Sequence, residues 1–370
     1  MTKTTKIIMG VIIIILIIGG IWYMVSRRPA EEDVIKIGFI GPLSGFGAAW
    51  GIEQKNAIDI AVEEINNGGG IKGQKIEVIY EDGKCDGKEA TTAAQKLINL
   101  DKVKILIPVC SAETLAVAPI AEENKILVMA VWPTNPAVSE AGDYIFRNSY
   151  SDEDTARVMA ETIGTNYQSV GIITELTDYP VGIRDTFKKY FEGQIIEEEY
   201  QPNSMDVRTQ VMKLISQNPE AILVNPNSPA TGLAILKQLK ELDFKGALYG
   251  NFFGSSSEVI NAEEAQGMIF FADPVVEDSP IKAQLFTKYQ NEYNKKPDFE
   301  FAVAATYDAI YILKQAIEQV GVNPDKIRDY LYNLKDFQGA LGTYGFNEKG
   351  DMIGVFPSVK QIINNEVVKY

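Results

Sequence analysis

The sequence predicts an α/β protein made of two doubly wound lobes, each a parallel sheet with helices on both faces, preceded by one N-terminal transmembrane helix. Three observations support this fold class. Strand-like and helix-like segments alternate twice along the chain, a nearly all-helical block follows the second alternation, and an uncharged apolar stretch precedes the first. Regular alternation of strands and helices is typical of parallel sheets that are covered on both faces.

The apolar stretch spans residues 7–25 and is long enough, as a helix, to cross a ~30 Å hydrocarbon layer. Its flanks allow two interpretations. Lys3 and Lys6 would suit the basic start of a cleaved signal peptide, whereas Trp22 suits the interfacial end of an uncleaved anchor. Because no Ala-x-Ala cleavage site is present, we expect the uncleaved anchor.

The first alternation predicts a sheet between residues 34 and 131. Its strands fall at 34–40, 75–80, 103–108 and 126–131, and its helices at 48–67, 87–100 and 113–124. The strands are short apolar runs, and a longer helical segment separates each from the next. Such strands are expected to lie parallel and to be buried on both faces.

The second alternation begins after Tyr150 and predicts another doubly wound unit. Its helices fall at 152–163, 181–191, 206–217 and 230–242, and its strands at 169–174, 194–199, 220–225, 246–249 and 268–271. Three further helices, at 281–293, 300–319 and 323–334, precede short strands that extend to residue 370. We expect this last helical block to cover a sheet formed earlier in the chain.

Together these elements predict a clamp whose discontinuous lobes are joined by a three-segment hinge. We assign 1–26 to the anchor or signal segment, 27–33 to a linker, 34–149 with 277–356 to lobe 1, and 150–276 with 357–370 to lobe 2. Ligands of open α/β sheets bind outside the carboxyl ends of the strands. The cleft between the lobes is therefore the expected binding site.

Composition narrows the classes of function. The chain has 370 residues, a formal net charge of −15 and no histidine. Excess negative charge disfavours nucleic acid as a partner, and the absence of histidine removes the commonest general base and metal ligand. No nucleophile–base pair, metal cluster or phosphate loop is recognisable, so we expect neither an enzyme nor a bound cofactor or metal.

A glycine-rich segment at residues 38–47 runs from a strand into a helix. It is not a dinucleotide fingerprint, because Trp50 stands where the third glycine would be required. We interpret the segment as a loop that presents Ser44 and Trp50 to the cleft.

Polar and aromatic residues follow several of the predicted strands. Ser111 stands at the start of a helix, where we expect it to cap that helix beside backbone amides that favour an anion such as a carboxylate. Thr134 would lie next to it, after the following strand. Trp132, Tyr179 and Phe252 also stand near strand ends and are expected to line an apolar pocket.

Cys85 and Cys110 are the only cysteines, and each follows a strand-like run. Parallel strands would bring both to one edge of a sheet. A disulfide would contribute about 3 kcal/mol and would require an oxidising compartment. Two reduced core thiols remain the alternative.

Several of these motifs resemble the leucine/isoleucine/valine-binding proteins of ABC importers. The motifs are GPLSG at 41–45, INNGGGIKG at 65–73, YEDGKC at 80–85, CS at 110–111 and PTNP at 133–136. They occur in the same order as in that family, and the resemblance extends from about residue 34 to residue 357.

The resemblance implies a class I periplasmic-binding-protein fold and a disulfide between Cys85 and Cys110. It also implies that Ser111 and Thr134 hold a ligand carboxylate, with aromatic walls at Trp50 and Tyr179. The expected partners are a small-molecule ligand, ABC permease subunits and, through the anchor, the cell membrane. The binding domain is expected on the extracytoplasmic side.

One position departs from the family pattern. Phe252 stands where the family has an acidic residue for the ligand ammonium, and a buried ammonium without a counter-charge is costly. Either Asp178, Glu175 or Asp273 replaces that acid, or the ligand lacks an amine. The sequence thus predicts a binding protein for an amino acid, branched-chain or aromatic; the alternatives are an aromatic acid or amide as ligand, or a membrane-tethered sensor ectodomain.

Overall fold

The computed structural model describes residues 34–274 and 279–370. The predicted anchor at 7–25, the linker at 27–33 and the predicted lobe boundary between residues 276 and 277 lie outside these ranges. In the described part of the chain, no helix combines the length and apolar character needed to cross a membrane.

The first sheet has five parallel strands in the order β2-β1-β3-β4-β5. The strands are β1 (Ile35–Gly41), β2 (Ile76–Asp82), β3 (Ile105–Pro108), β4 (Leu127–Val131) and β5 (Ile145–Asn148). Helices α1 (Ala48–Asn67), α2 (Gly87–Asn99) and α3 (Ser111–Asn124) connect them. The sequence patterns did not predict β5, because its four residues end in the polar pair Arg147 and Asn148.

The second sheet has seven strands in the order β15-β14-β10-β9-β8-β6-β7. Its parallel strands are β6 (Ser169–Glu175), β7 (Gln194–Tyr200), β8 (Ala221–Asn225), β9 (Ala247–Gly250) and β10 (Ile269–Ala272). Helices α4 (Asp152–Gly164), α5 (Asp178–Tyr190), α6 (Arg208–Ile215), α7 (Pro229–Glu241) and α8 (Ser257–Ile260) belong to this part of the chain. The last strands, β14 (Ser358–Ile363) and β15 (Glu366–Lys369), join its edge in antiparallel pairing.

The late helical block returns to the first sheet, as its position in the sequence predicted. Its helices are α9 (Pro280–Tyr293), α10 (Glu300–Val320) and α11 (Pro324–Tyr332). Val303 and Ile310 of α10 share a hydrophobic core with Ile37 and Phe39 of β1. A small antiparallel sheet follows, formed by β11 (Phe337–Gly339), β12 (Gly342–Phe346) and β13 (Met352–Ile353).

The chain passes between the two large sheets three times. It crosses after β5, returns between β10 and α9, and crosses again between β13 and β14. Each large sheet has its own buried core. Two separately packed bodies joined by three segments of the chain are the arrangement expected of a hinged clamp.

Candidate functional site

A cavity lies between the two sheets, with an empty volume of about 570 Å³ that includes its mouth. Its walls come from loops that follow strands of both sheets. The lining residues are Trp50, Cys85, Val109, Cys110, Ser111, Ala112, Trp132, Thr134, Tyr150, Thr177, Asp178, Tyr179, Asn227 and Phe252.

The structure brings together six of the seven residues that the sequence assigned to the site. Ser44 is the exception, because it does not line the cavity. Its hydroxyl donates a hydrogen bond to Oδ2 of Asp82 at 2.5 Å on the exposed side of the loop. The carboxylate of Asp82, at the end of the neighbouring strand β2, thus holds Ser44 outside the cavity.

The start of α3 forms one end of the cavity through Ser111 and Ala112. Ser111 is not the helix cap that the sequence suggested, because Cys110 occupies the cap position and Ser111 is the first helical residue. The Ser111 hydroxyl instead accepts a hydrogen bond from the backbone N–H of Asn135 at 3.3 Å. Its own proton therefore remains available for an acceptor in the cavity, beside the N-terminus of a helix, which attracts anions.

A buried carboxyl group organises the loop behind this helix start. Glu113 accepts hydrogen bonds from the backbone N–H groups of Cys85 at 3.0 Å, Cys110 at 2.9 Å and Val109 at 3.3 Å. Burial raises the pKa of Glu113 to about 8, and these three donors oppose the rise. Cys85 and Cys110 are joined by a disulfide with their Cα atoms 5.4 Å apart, so the two strand ends are also covalently tied.

Thr134 lies in the loop after β4 and is held from below by buried polar groups. Its carbonyl oxygen accepts from the backbone N–H of Asp152 at 2.7 Å and from the guanidinium of Arg147 at 3.2 Å. Arg147 is fully buried, and it also donates to the carbonyl of Asn135 at 2.9 Å and pairs with Asp351 at 2.6 Å. These bonds fix the backbone that carries Thr134 into the cavity.

The Asp152 carboxyl group is directly coupled to Thr134. Burial raises the pKa of Asp152 to about 7, while a hydrogen bond with the Thr134 side chain and the charge of Arg147 oppose the rise. One carboxyl oxygen of Asp152, Oδ2, is buried without a hydrogen-bond partner among the described residues. Protonation of this carboxyl group therefore alters what the Thr134 hydroxyl can donate.

Four aromatic rings form a continuous wall across the cavity. Neighbouring ring centroids along this wall are 6.3 Å apart for Trp50 and Trp132, 5.5 Å for Trp132 and Phe252, and 5.4 Å for Phe252 and Tyr179. All three contacts are edge-to-face, the arrangement that aromatic pairs prefer. The wall begins at the first sheet and ends at the second, so it gives the cavity an apolar side that spans both.

Trp132 adopts a strained backbone conformation at the centre of this wall. Its φ angle is 77°, in the left-handed region that bulky residues rarely occupy. Such strain costs about 1–3 kcal/mol and persists only where surrounding contacts enforce it. Here the indole N–H donates to Oδ1 of Asp273 at 3.1 Å, and rings pack on both sides of the indole.

The three acids considered as partners for a ligand ammonium have different surroundings. Glu175 is buried and accepts from Tyr200, Thr231 and two backbone amides, so its oxygens are used within the second sheet. Asp273 accepts from Trp132 and Tyr150. Only Asp178 lines the cavity itself, at the exposed start of α5. Among the lining residues it is the single charged side chain.

Sequence reasoning missed three polar lining residues, Thr177, Asn227 and Tyr150. Thr177 and Asn227 follow β6 and β8, so the strand-end rule that found Ser111 could have found them. Tyr150 follows β5, the strand that was not predicted. The Thr177 hydroxyl is buried and has no hydrogen-bond partner among the described residues, which leaves it available to a ligand.

Comparison with known proteins identifies relatives of the same architecture. A leucine-, isoleucine-, valine-, threonine- and alanine-binding protein of Pseudomonas aeruginosa is 28% identical over 331 residues, which cover 86% of this chain and 87% of that protein. The crystal structure of a leucine-binding protein from Thermotoga maritima has a TM-score of 0.83 and 29% identity, covering 91% of this chain and 98% of that one.

A second solved structure, a branched-chain amino acid transporter substrate-binding protein from Streptococcus pneumoniae in complex with isoleucine, has a TM-score of 0.78 and 26% identity. The match covers 91% of this chain and all (100%) of that one. The sequence profile of the periplasmic binding protein family matches residues 34–355, which is most of the chain. With its two sheets of mainly parallel strands and the cavity between them, this chain belongs to the periplasmic binding protein family.

Proposed function

We propose that this chain is the extracytoplasmic solute-binding protein of an ABC importer and that it captures a small carboxylate-bearing ligand, an amino acid with a branched-chain or aromatic side chain. The observation that carries the proposal is the composition of the cavity. One end offers the hydroxyls of Ser111 and Thr134 beside a helix N-terminus, and the adjoining wall is aromatic. Relatives named as leucine/isoleucine/valine-binding proteins support the same ligand class.

In the proposed mechanism the ligand carboxylate binds first to Ser111 and Thr134. Lobe 1, residues 34–149 with 277–356, then closes on lobe 2, residues 150–276 with 357–370, and Tyr179 and Phe252 cover the ligand side chain. The separate sheets and their three connections support these lobe boundaries. Closure is the signal that permease subunits would recognise. A role in binding, with no chemical conversion, agrees with the binding proteins to which this chain is similar.

Isothermal titration calorimetry of the full chain in detergent micelles tests the ligand class. We expect saturable binding of at least one of leucine, isoleucine, valine and phenylalanine. Absence of heat with all four would contradict the amino-acid assignment.

A second ligand class, carboxylic acids without an amine, is favoured by one specific observation. Phe252 replaces the acidic residue expected for the ligand ammonium, and Glu175 and Asp273 are engaged by protein donors. The matched pair of leucine and 4-methylpentanoate, which differ only in the amine, distinguishes the classes. Tighter binding of 4-methylpentanoate would replace the amino acid by the amine-free acid.

We further propose that residues 7–25 remain attached and tether the binding domain to the cell membrane. The length of this stretch and its uncharged character support the proposal. The full chain should stay in the membrane fraction after an alkaline wash, with its N-terminal residues intact by mass spectrometry. Release of a chain that begins after residue 25 would contradict the tether.

A further inference from the structure

Asp273 connects the two sides of the cleft through a single oxygen atom. It directly follows β10 of the second sheet, and its Oδ1 accepts hydrogen bonds from the indole N–H of Trp132 at 3.1 Å and from the hydroxyl of Tyr150 at 2.6 Å. Trp132 follows β4 of the first sheet, and Tyr150 lies where the chain leaves that sheet. These bonds join residues 141 and 123 positions apart in the sequence.

The carboxyl group of Asp273 is hydrogen-bonded to two residues of the cavity wall. Trp132 and Tyr150 line the cavity, whereas Asp273 does not. Burial raises the pKa of Asp273, and the hydrogen bonds from Tyr150 and Trp132 oppose the rise, with a smaller contribution from the charge of Lys360. The two donors thus stabilise the carboxylate, although burial still leaves its pKa above the ordinary value.

The position of the Trp132 ring depends on this acceptor. Its backbone is strained, and the ring lies between Trp50 at 6.3 Å and Phe252 at 5.5 Å. If the acceptor were removed, the half-buried indole N–H would lose its hydrogen-bond partner. The ring would then turn toward water, and the apolar wall of the cavity would open at its centre.

We propose that Asp273 is a positioning residue that determines specificity: by accepting from Trp132 and Tyr150 on one oxygen, it holds both rings as the wall that limits ligand size. The inference rests on the proposed function, because it concerns the ligand of the same cavity. It assigns the size limit of the ligand side chain to a residue outside the cavity.

The alternative is that the Asp273 charge itself binds the ligand ammonium. Two substitutions separate these roles. Asp273→Asn retains an oxygen that can accept both hydrogen bonds but removes the charge, whereas Asp273→Leu has a similar volume and retains neither. A positioning role predicts that Asn rescues selectivity, and a charge role predicts that Asn fails as Leu does.

The experiment measures the affinities of leucine and tryptophan for the full chain in detergent micelles by calorimetry. In Asp273→Leu we expect the leucine-to-tryptophan affinity ratio to move at least about tenfold toward tryptophan, the scale of size discrimination by an apolar pocket. Asp273→Asn should keep the wild-type ratio. Trp132→Phe, which removes the indole donor and leaves Asp273 in place, should shift the ratio in the same direction and serves if Asp273→Leu does not fold.

A spectroscopic readout accompanies the affinities. The indole N–H resonance of Trp132, identified by its loss in Trp132→Phe, should shift in Asp273→Leu and stay near its wild-type position in Asp273→Asn. An unchanged ratio and resonance in Asp273→Leu, or an Asn variant that behaves like Leu, overturns the inference while wild-type binding still supports the proposed function. A wild-type chain that binds none of leucine, isoleucine, valine, phenylalanine and tryptophan overturns the proposed ligand class, and the inference with it.

Discussion

The two walls of the cavity differ in how their side chains are held. On the first-sheet side, Ser111 and Thr134 are fixed by hydrogen bonds from Asn135, Arg147 and Asp152. Behind them, a disulfide ties down the start of α3. On the second-sheet side, the wall consists mainly of the rings of Tyr179 and Phe252, which contact each other, and Phe252 also contacts Trp132. The first side thus adds two fixed hydroxyls to the rings of Trp50 and Trp132, whereas the second side is mainly aromatic.

This difference suggests a division of labour between the walls. Hydroxyls and helix amides in fixed positions recognise a carboxylate whatever the rest of the ligand is. The packed rings, in contrast, discriminate between ligands by size. Because Phe252 stands where the family has an acid, the rings also discriminate by the presence of an amine. The hydroxyls would set the chemical class of the ligand, and the rings of both sides would set the individual ligand.

The largest effect is expected from removing both hydroxyls of the first wall. Ser111→Ala combined with Thr134→Ala deletes two hydrogen bonds to a charged group, each worth about 1.5–3 kcal/mol, so the affinity for leucine should fall at least about 100-fold. Calorimetry measures the loss, and the melting temperature reports whether the fold is retained. Ser44→Ala is the matched control, because Ser44 lies outside the cavity, and its affinity should equal that of the wild type. A double variant with unchanged affinity would remove the carboxylate assignment.

A smaller effect is expected from restoring an acid on the second wall. Phe252→Glu should favour leucine over 4-methylpentanoate by about tenfold relative to the wild type, because a carboxylate at this position can pair with the ammonium. Phe252→Gln has the same shape without the charge and should not produce this shift. Equal changes in both variants, measured by competition binding, would show that the altered packing alone is responsible.

The smallest effect concerns pH and the first wall. Burial raises the pKa of Asp152 from 3.8, its value in the unfolded chain, to about 7 in the folded protein. The resulting contribution to the free energy of unfolding is fully present below pH 3.8 and is lost as the pH rises through 7. A hydroxyl has one proton, and ionised Asp152 competes for the proton of Thr134.

The dissociation constant for leucine should therefore rise about threefold between pH 6.5 and 7.5. Asp152→Asn should flatten this dependence, because its amide can donate to Thr134 as the protonated acid does. The charged and titratable groups near Asp152 are Arg147, Asp273, Tyr150 and Tyr179, and the tyrosine pKa values are raised by burial well above this range. Identical pH profiles for the two proteins would assign the titration to another group.

Much of the fold was predictable because hydrophobic periodicity is a local property of the chain. The boundaries of α1 agree with the prediction, and most other elements agree to within a few residues. The lining residues Ser111, Thr134, Tyr179 and Phe252 could also be predicted from the sequence, since the carboxyl ends of parallel strands meet at one edge of a sheet. By itself, then, the sequence determined the two-sheet architecture and several of the strand-end residues that line the cleft.

Only the tertiary structure decided which side chains share a hydrogen bond. It turned Ser44 to Asp82, gave the cap position to Cys110 and brought Asp273 to Trp132 across 141 residues. Such pairings depend on how two separately packed sheets face each other, and no periodicity encodes that distance or angle. The class of protein thus follows from local patterns, whereas the selectivity of the cavity follows from contacts between distant parts of the chain.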